Sequence, residues 1–174
     1  MKRSVWLWVL IGYAVTVCGG TVLHFLYDWL GGAAWIAPFS GVNESTWEHM
    51  KLMFWPRLAV AAAESRFFGG YPGFWRVKLR GMLIGLCLIP VIFYTYNGAV
   101  GKSPDWLNIT IFFVAAAVAY AYEARAMERT GRRPCSPRVA VGMMLILASL
   151  FVIFSFAPPH VGIFCDPITG NFGR

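Results

Sequence analysis

Five apolar stretches, each close to the length of a membrane-crossing helix, constrain this chain more than any other feature of its sequence. A helix that spans the hydrocarbon core needs about 20 mostly apolar residues, and the stretches lie at 5–30, 45–64, 80–98, 105–124 and 138–157. The chain is 58% hydrophobic and only 13% charged, which excludes a soluble domain of average composition. The sequence predicts an all-α, polytopic transmembrane helical bundle of about five helices, with residues 1–174 forming a single transmembrane domain.

The second stretch, 45–64, is the weakest of the five because Lys51 and Arg57 interrupt it. A charge near the centre of a membrane helix costs about 2.5–3.5 kcal/mol on insertion scales, so an interfacial segment is the alternative. We favour a fifth span, since long basic side chains can reach toward the membrane surface. Glu48 also stands three residues before Lys51, at a spacing that allows the two side chains to pair on a helix.

The positive charges alternate between the two ends of these stretches, and this pattern predicts the orientation. Cytoplasmic loops carry an excess of Lys and Arg, so the N-terminus is predicted inside and the C-terminus outside, in a multi-pass protein of the inner (plasma) membrane. The formal net charge of +7 is spread over short loops and gives no basic face for nucleic acid. Lys2, Arg3, Arg66, Arg76, Lys78, Arg80, Arg125, Arg129, Arg132, Arg133 and Arg138 are on the predicted inner side, and Lys102 and Arg174 on the outer side.

All three histidines, from segments far apart in sequence, fall at the predicted outer ends of the helices, and most carboxylates fall there too. Three neutral imidazoles with an open coordination position form a catalytic zinc arrangement. Carboxylates can add a ligand, an orienting group or a general base. The predicted metal ligands and their orienting groups are His24, His49, His160, Asp28 and Asp166, and the predicted general base is Glu48 or Glu44.

Each of these residues also has a purely structural explanation. Ser45-x-x-Glu48 precedes an apolar run and matches a capping box, which would only close the start of the second helix. His24 alone is compatible with a hydrogen-bonded core histidine, and His160, which follows two prolines, with a surface residue. The convergence of three histidines on one side favours the metal site.

The tail, 158–174, is too apolar and too rich in turn signals for a disordered end. D-P at 166–167 and T-G-N at 169–171 are typical turn sequences. We predict that the tail folds over the outer ends of the helices and brings His160 and Asp166 toward the other two histidines.

Three segments, HFLYDW (24–29), PFSGVNESTWEHMK (38–51) and the tail from PPH to DP (158–167), resemble an uncharacterised prokaryotic family of multi-pass membrane proteins, a domain of unknown function that spans the whole chain. A fainter similarity, limited to Ser45-x-x-x-His49, is to the seven-helix metal-dependent membrane hydrolases that include alkaline ceramidases and the progestin and adiponectin receptors. That similarity implies a catalytic site in which Ser45 joins histidines around zinc. The chain departs from those hydrolases in its five candidate helices and in lacking an H-x-x-x-H pair.

The resulting hypothesis is a zinc-dependent membrane hydrolase that acts on lipid-like or other amphipathic substrates at the outer leaflet. The alternative is a non-enzymatic membrane accessory, sensor or small transport protein with no metal. Neither haem nor nucleotide is expected. Haem-ligating histidines normally lie at facing depths within a bundle, whereas all three histidines here are predicted at the outer ends of the helices. The lipid bilayer is the expected partner, nucleic acid is not, and a homo-oligomer is compatible with the sequence.

Overall fold

The computed structural model describes residues 2–128 and 136–173. Arg129, Arg132, Arg133 and Arg174, which contributed to the predicted orientation, lie outside these residues, and the orientation stays a prediction. The predicted all-α bundle of five helices is confirmed within the described residues. The helices are α1 (Lys2–Trp29), α2 (Thr46–Phe68), α3 (Phe74–Val100), α4 (Asp105–Glu128) and α5 (Pro137–Phe156), followed by a short 3-10 helix (Gly162–Phe164).

Four of the helices, α1, α3, α4 and α5, are long and apolar enough to cross a membrane, with a mean hydropathy between 1.5 and 2.6. Large apolar side chains such as Leu10 on α1 and Ile146 on α5 are exposed. Apolar surface of this extent marks contact with another apolar phase. These helices fit an integral membrane protein surrounded by a lipid bilayer.

The second helix, α2, is not among these four, yet it lies at the centre of the bundle. It packs against the other four helices and against the 3-10 helix. Glu48, Lys51, Arg57 and Glu64 on α2 are each at most 3% exposed, so these four charges face protein and not lipid. Ionisable groups in membrane helices are expected to face the bundle interior and to pair there, which explains how a helix with this composition can occupy the core.

A buried ionic cluster of Arg57, Glu64, Lys78 and Glu123 joins α2, α3 and α4. Lys78 Nζ donates to Glu123 Oε2 at 2.7 Å and also contacts the Glu64 carboxylate. Arg57 Nη2 donates to Glu123 Oε1. Two cations thus face two anions, and Gly81 on α3, by lacking a Cβ, leaves the space that the Glu123 side chain fills.

Lys51 forms a second buried polar centre nearer the start of α2. Its Nζ lies 2.5 Å from Glu48 Oε2, which confirms the pairing expected from their spacing. The same ammonium donates to the Ala37 carbonyl at 2.7 Å and to Ser155 Oγ at 2.9 Å. One side chain therefore ties α2 to the α1–α2 loop and to the end of α5.

The tail folds back over one end of the bundle, as its turn signals predicted. Thr46 Oγ1 donates to the Ile163 carbonyl at 3.1 Å, and Asn43 Nδ2 donates to the Gly173 carbonyl at 2.9 Å. Phe164 is only 6% exposed and joins the hydrophobic core. The tail is consequently attached to the start of α2 and to the loop that precedes it.

Candidate metal site

His24, Glu44 and His49 meet where α1, the α1–α2 loop and α2 come together. Glu44 Oε1 lies 3.6 Å from His24 Nε2, and Glu44 Oε2 lies 3.5 Å from His49 Nε2. One potential ligand atom from each residue lies within 4.8 Å of the other two. Donors bonded to one zinc ion at about 2 Å in tetrahedral geometry are about 3.3 Å apart, so small side-chain rotations would bring all three to a single ion.

The loop that carries Glu44 is fastened to α1 by Ser40. The buried Ser40 hydroxyl donates to the Leu23 carbonyl and accepts the Tyr27 backbone N–H at 2.8 Å. These bonds hold the loop against the last turns of α1, beside the first histidine. The carboxylate can therefore reach imidazoles on two different helices.

Ser45 is the N-cap of α2, and this sets where the helix begins. Its hydroxyl accepts the Glu48 backbone N–H at 3.4 Å, and its own N–H donates to Asn43 Oδ1 at 2.9 Å. In a reciprocal capping box the Glu48 carboxylate would accept from the backbone N–H of Ser45. Here Glu48 Oε2 accepts from the Val42 N–H instead, at 3.0 Å, so only the Ser45 half of the predicted capping box forms. The cap places His49 in the first turn of α2, next to the loop.

His49 is oriented in a way that suits a metal ligand. Its Nδ1 lies 2.9 Å from the Ser45 backbone carbonyl. A carbonyl oxygen can only accept, so Nδ1 carries a proton, and Nε2, the atom that faces Glu44, is the nitrogen left for a metal. Metal-ligating histidines characteristically use their other ring nitrogen in this way.

A cleft of about 240 Å³ begins at His24 and His49 and runs between α1, α2 and α4. The side chains of His24, His49 and Glu44 are 28%, 20% and 41% exposed, so the group is accessible. A narrower cavity of about 20 Å³ on another side of His49 is lined by Glu44 and Asn108 among others. The remaining lining residues of the cleft are Gly20, Thr21, Phe25, Leu52, Ile109, Phe112 and Phe113.

The other predicted ligands lie outside this group. His160 stacks on Phe172 with ring centroids 4.6 Å apart. Asp166 accepts from the Thr169 hydroxyl at 2.8 Å and thereby closes the turn of the tail. Asp28 is exposed near the end of α1. The fold thus brings together two of the three histidines and supplies a carboxylate beside them.

The two candidate bases, Glu44 and Glu48, have different surroundings. Glu48 is 3% exposed and is bonded to the Lys51 ammonium. Glu44 precedes the N-cap, so it belongs to the loop and does not share a helix face with Glu48, and it contacts both histidines. Glu44 therefore occupies the position of a third ligand, a position that the sequence analysis predicted for His160.

Sequence reasoning missed the contribution of α4 to the cleft. Ile109, Phe112 and Phe113 line it, and their spacing of i, i+3, i+4 puts them on one helix face. That face is not distinctive in the sequence, because α4 is apolar on all sides over 109–120. The neighbouring helix had to be known before this face could be chosen.

Comparison with known proteins places the chain in a family to which no activity is assigned. No curated protein and no solved structure matches the chain. One family model matches it over residues 1–174, its whole length. The chain belongs to DUF6512, a family of unknown function.

Proposed function

We propose that His24, His49 and Glu44 bind a divalent metal ion, zinc by the chemistry of the ligand set, and that the protein is a metal-dependent membrane hydrolase of lipid-like substrates. Two imidazoles and one carboxylate, with the fourth position open, are a catalytic zinc ligand set. The observation that carries the proposal is the convergence of these three side chains on one another at the polar end of an open cleft.

This ligand set gives the site a route to hydrolysis. A bound zinc ion lowers the pKa of a coordinated water to about 7 and can polarise a carbonyl oxygen. The chain's own part would be to hold the ion and to present the substrate from the cleft. The ion pair between Glu48 and Lys51 argues against Glu48 as the general base. Glu44 is assigned as a ligand because it contacts both histidines. The nucleophile would be the water bound to the metal.

The metal site is tested by zinc analysis of the purified full chain beside four single variants. His24→Ala, His49→Ala and Glu44→Gln each remove one proposed ligand. Loss of an outer-shell partner already lowers metal affinity by about 10–100-fold, so each ligand variant is expected to lose at least that much. His160→Ala is the matched control, because it removes a histidine that stacks on Phe172.

The expected result is stoichiometric zinc in the wild type and in His160→Ala, and loss of zinc in the three ligand variants. Equal zinc in all five proteins would contradict the assignment of ligands. No binding by the wild type even after zinc is added would contradict the metal site altogether, and would leave His24, Glu44 and His49 as a structural group of neighbouring polar side chains.

A non-enzymatic metal-binding membrane protein is the second candidate. Many zinc hydrolases use a separate carboxylate as the general base. Among the described residues that line the cleft and the narrower cavity, Glu44 is the only carboxylate, and this favours the second candidate. Fatty-acid release from mixed lipid vesicles separates the two functions. Release that requires both zinc and Glu44 supports the hydrolase, whereas stoichiometric zinc without release supports the second candidate.

A further inference from the structure

The cleft beside the candidate metal site has the size and lining of a binding site for an apolar group. Its volume is about 240 Å³, larger than the roughly 150 Å³ of a dry engineered cavity that binds benzene. Gly20 forms part of the wall, and a Cβ there would approach Phe112 Cζ to 2.6 Å. The glycine therefore lets α1 and α4 come close together behind the cleft.

The cleft is lined in part by exposed apolar side chains of two helices. Phe25 on α1 is 45% exposed and Ile109 on α4 is 59% exposed, and both residues line the cleft. Both helices are long and apolar enough to cross a bilayer. An occupant that enters between these two side chains therefore comes from the hydrocarbon phase, where acyl chains are the abundant apolar groups.

The polar end of the cleft is suited to an uncharged headgroup. Among the described residues, neither the cleft nor the narrower cavity is lined by Lys or Arg, and the Glu44 carboxylate contacts His24 and His49. Phosphate groups are usually recognised by Arg or Lys side chains. The polar neighbours that remain, such as Thr46 and Asn108, carry no charge.

From these observations we infer that the cleft holds the acyl chain of a neutral fatty-acyl ester, with the ester carbonyl beside His24, Glu44 and His49. This inference rests on the proposed function and names its substrate class. In the reaction, the oxygen of water bonds to the acyl carbon and the bond from that carbon to the leaving oxygen breaks. One hydrogen of the water goes to the leaving alcohol, and the other is released as the fatty acid ionises.

Photolabelling tests this substrate class without requiring catalysis or metal. The full-length protein in lipid nanodiscs is irradiated with a non-hydrolysable alkyl glycerol ether that carries a diazirine in its chain. A second probe differs only by a phosphate ester on the glycerol. Ile109→Trp fills the mouth of the cleft, and Val118→Trp is the matched control, since Val118 is also exposed on α4 but does not line the cleft.

We expect the neutral probe to label cleft residues in the wild type and in Val118→Trp. Labelling should fall by about tenfold in Ile109→Trp, which corresponds to ~1.4 kcal/mol of binding. The phosphate-bearing probe should label the cleft less than the neutral one. Equal labelling of both tryptophan variants would overturn the acyl-chain site, and equal or stronger labelling by the phosphate probe would overturn the neutral headgroup.

The zinc measurement and the photolabelling fail independently of each other. Zinc bound without labelling leaves the metal site intact and removes the acyl-chain assignment. Labelling without zinc leaves a lipid-binding cleft and removes the hydrolase.

Discussion

Glu123→Gln is expected to destabilise the helix bundle by about 3–5 kcal/mol, the usual effect of breaking a buried ion pair from one side. Glu123 is 1% exposed and its carboxylate accepts from both Arg57 and Lys78. After the substitution, two buried cations would face the single carboxylate of Glu64. The free energy of unfolding of the detergent-solubilised protein, followed by circular dichroism during titration with a denaturing detergent, measures the loss.

Glu128→Gln is the matched control for this prediction. It changes the same residue type on the same helix, but Glu128 accepts one exposed hydrogen bond from the Trp6 indole. Exposed charged contacts of this kind contribute about 0–1 kcal/mol. If the two variants unfolded alike, the ionic cluster would not stabilise the fold.

Lys51→Met is expected to cost a similar 3–5 kcal/mol, about what is lost when one partner of a buried pair is removed. Lys51 is fully buried, and without it the carboxylate of Glu48 would be left in the core. The Ala37 carbonyl and the Ser155 hydroxyl would lose a donor as well. The same unfolding titration measures this effect.

The double variant Glu48→Gln/Lys51→Met distinguishes a charge effect from a packing effect. Removing both charges should recover part of the lost stability, because no uncompensated charge then remains in the core. Lys102→Met serves as the control for loss of an exposed lysine. A double variant less stable than Lys51→Met would show that packing and not charge dominates at this position.

The number and class of the helices could be predicted from the sequence because long apolar runs carry that information directly. The position predicted for the start of α3 was less accurate. The third stretch was predicted from residue 80, whereas α3 begins at Phe74, because Arg76 and Lys78 suggested a loop. Lys78 is buried in the bundle, where it pairs with Glu64 and Glu123, and this pairing allows a charged residue to lie inside a helix. A pairing between helices cannot be recognised from one sequence.

The candidate site was predicted in part for a similar reason. His24 and His49 could be brought together by counting turns from the helix ends, since both lie on regular helices. His160 lies in the tail, whose path depends on individual contacts such as its stacking on Phe172. Glu44 and Glu48 were both candidate bases in the sequence, and only the path of the loop, which brings Glu44 into contact with both histidines, identifies Glu44 as a candidate ligand.

The hydrogen bond from Asn43 to Gly173 also constrains how many times the chain passes through the membrane. Two residues joined in this way share a compartment, so the chain between them must cross an even number of times. If α3, α4 and α5, which are long and apolar enough to cross a membrane, are three crossings, we expect α2 to be the fourth. Its 23 residues extend about 34 Å at 1.5 Å per residue. Reporter domains fused to the two ends of the chain should then report opposite compartments, whereas an α2 lying on the membrane surface would place both reporters on the same side.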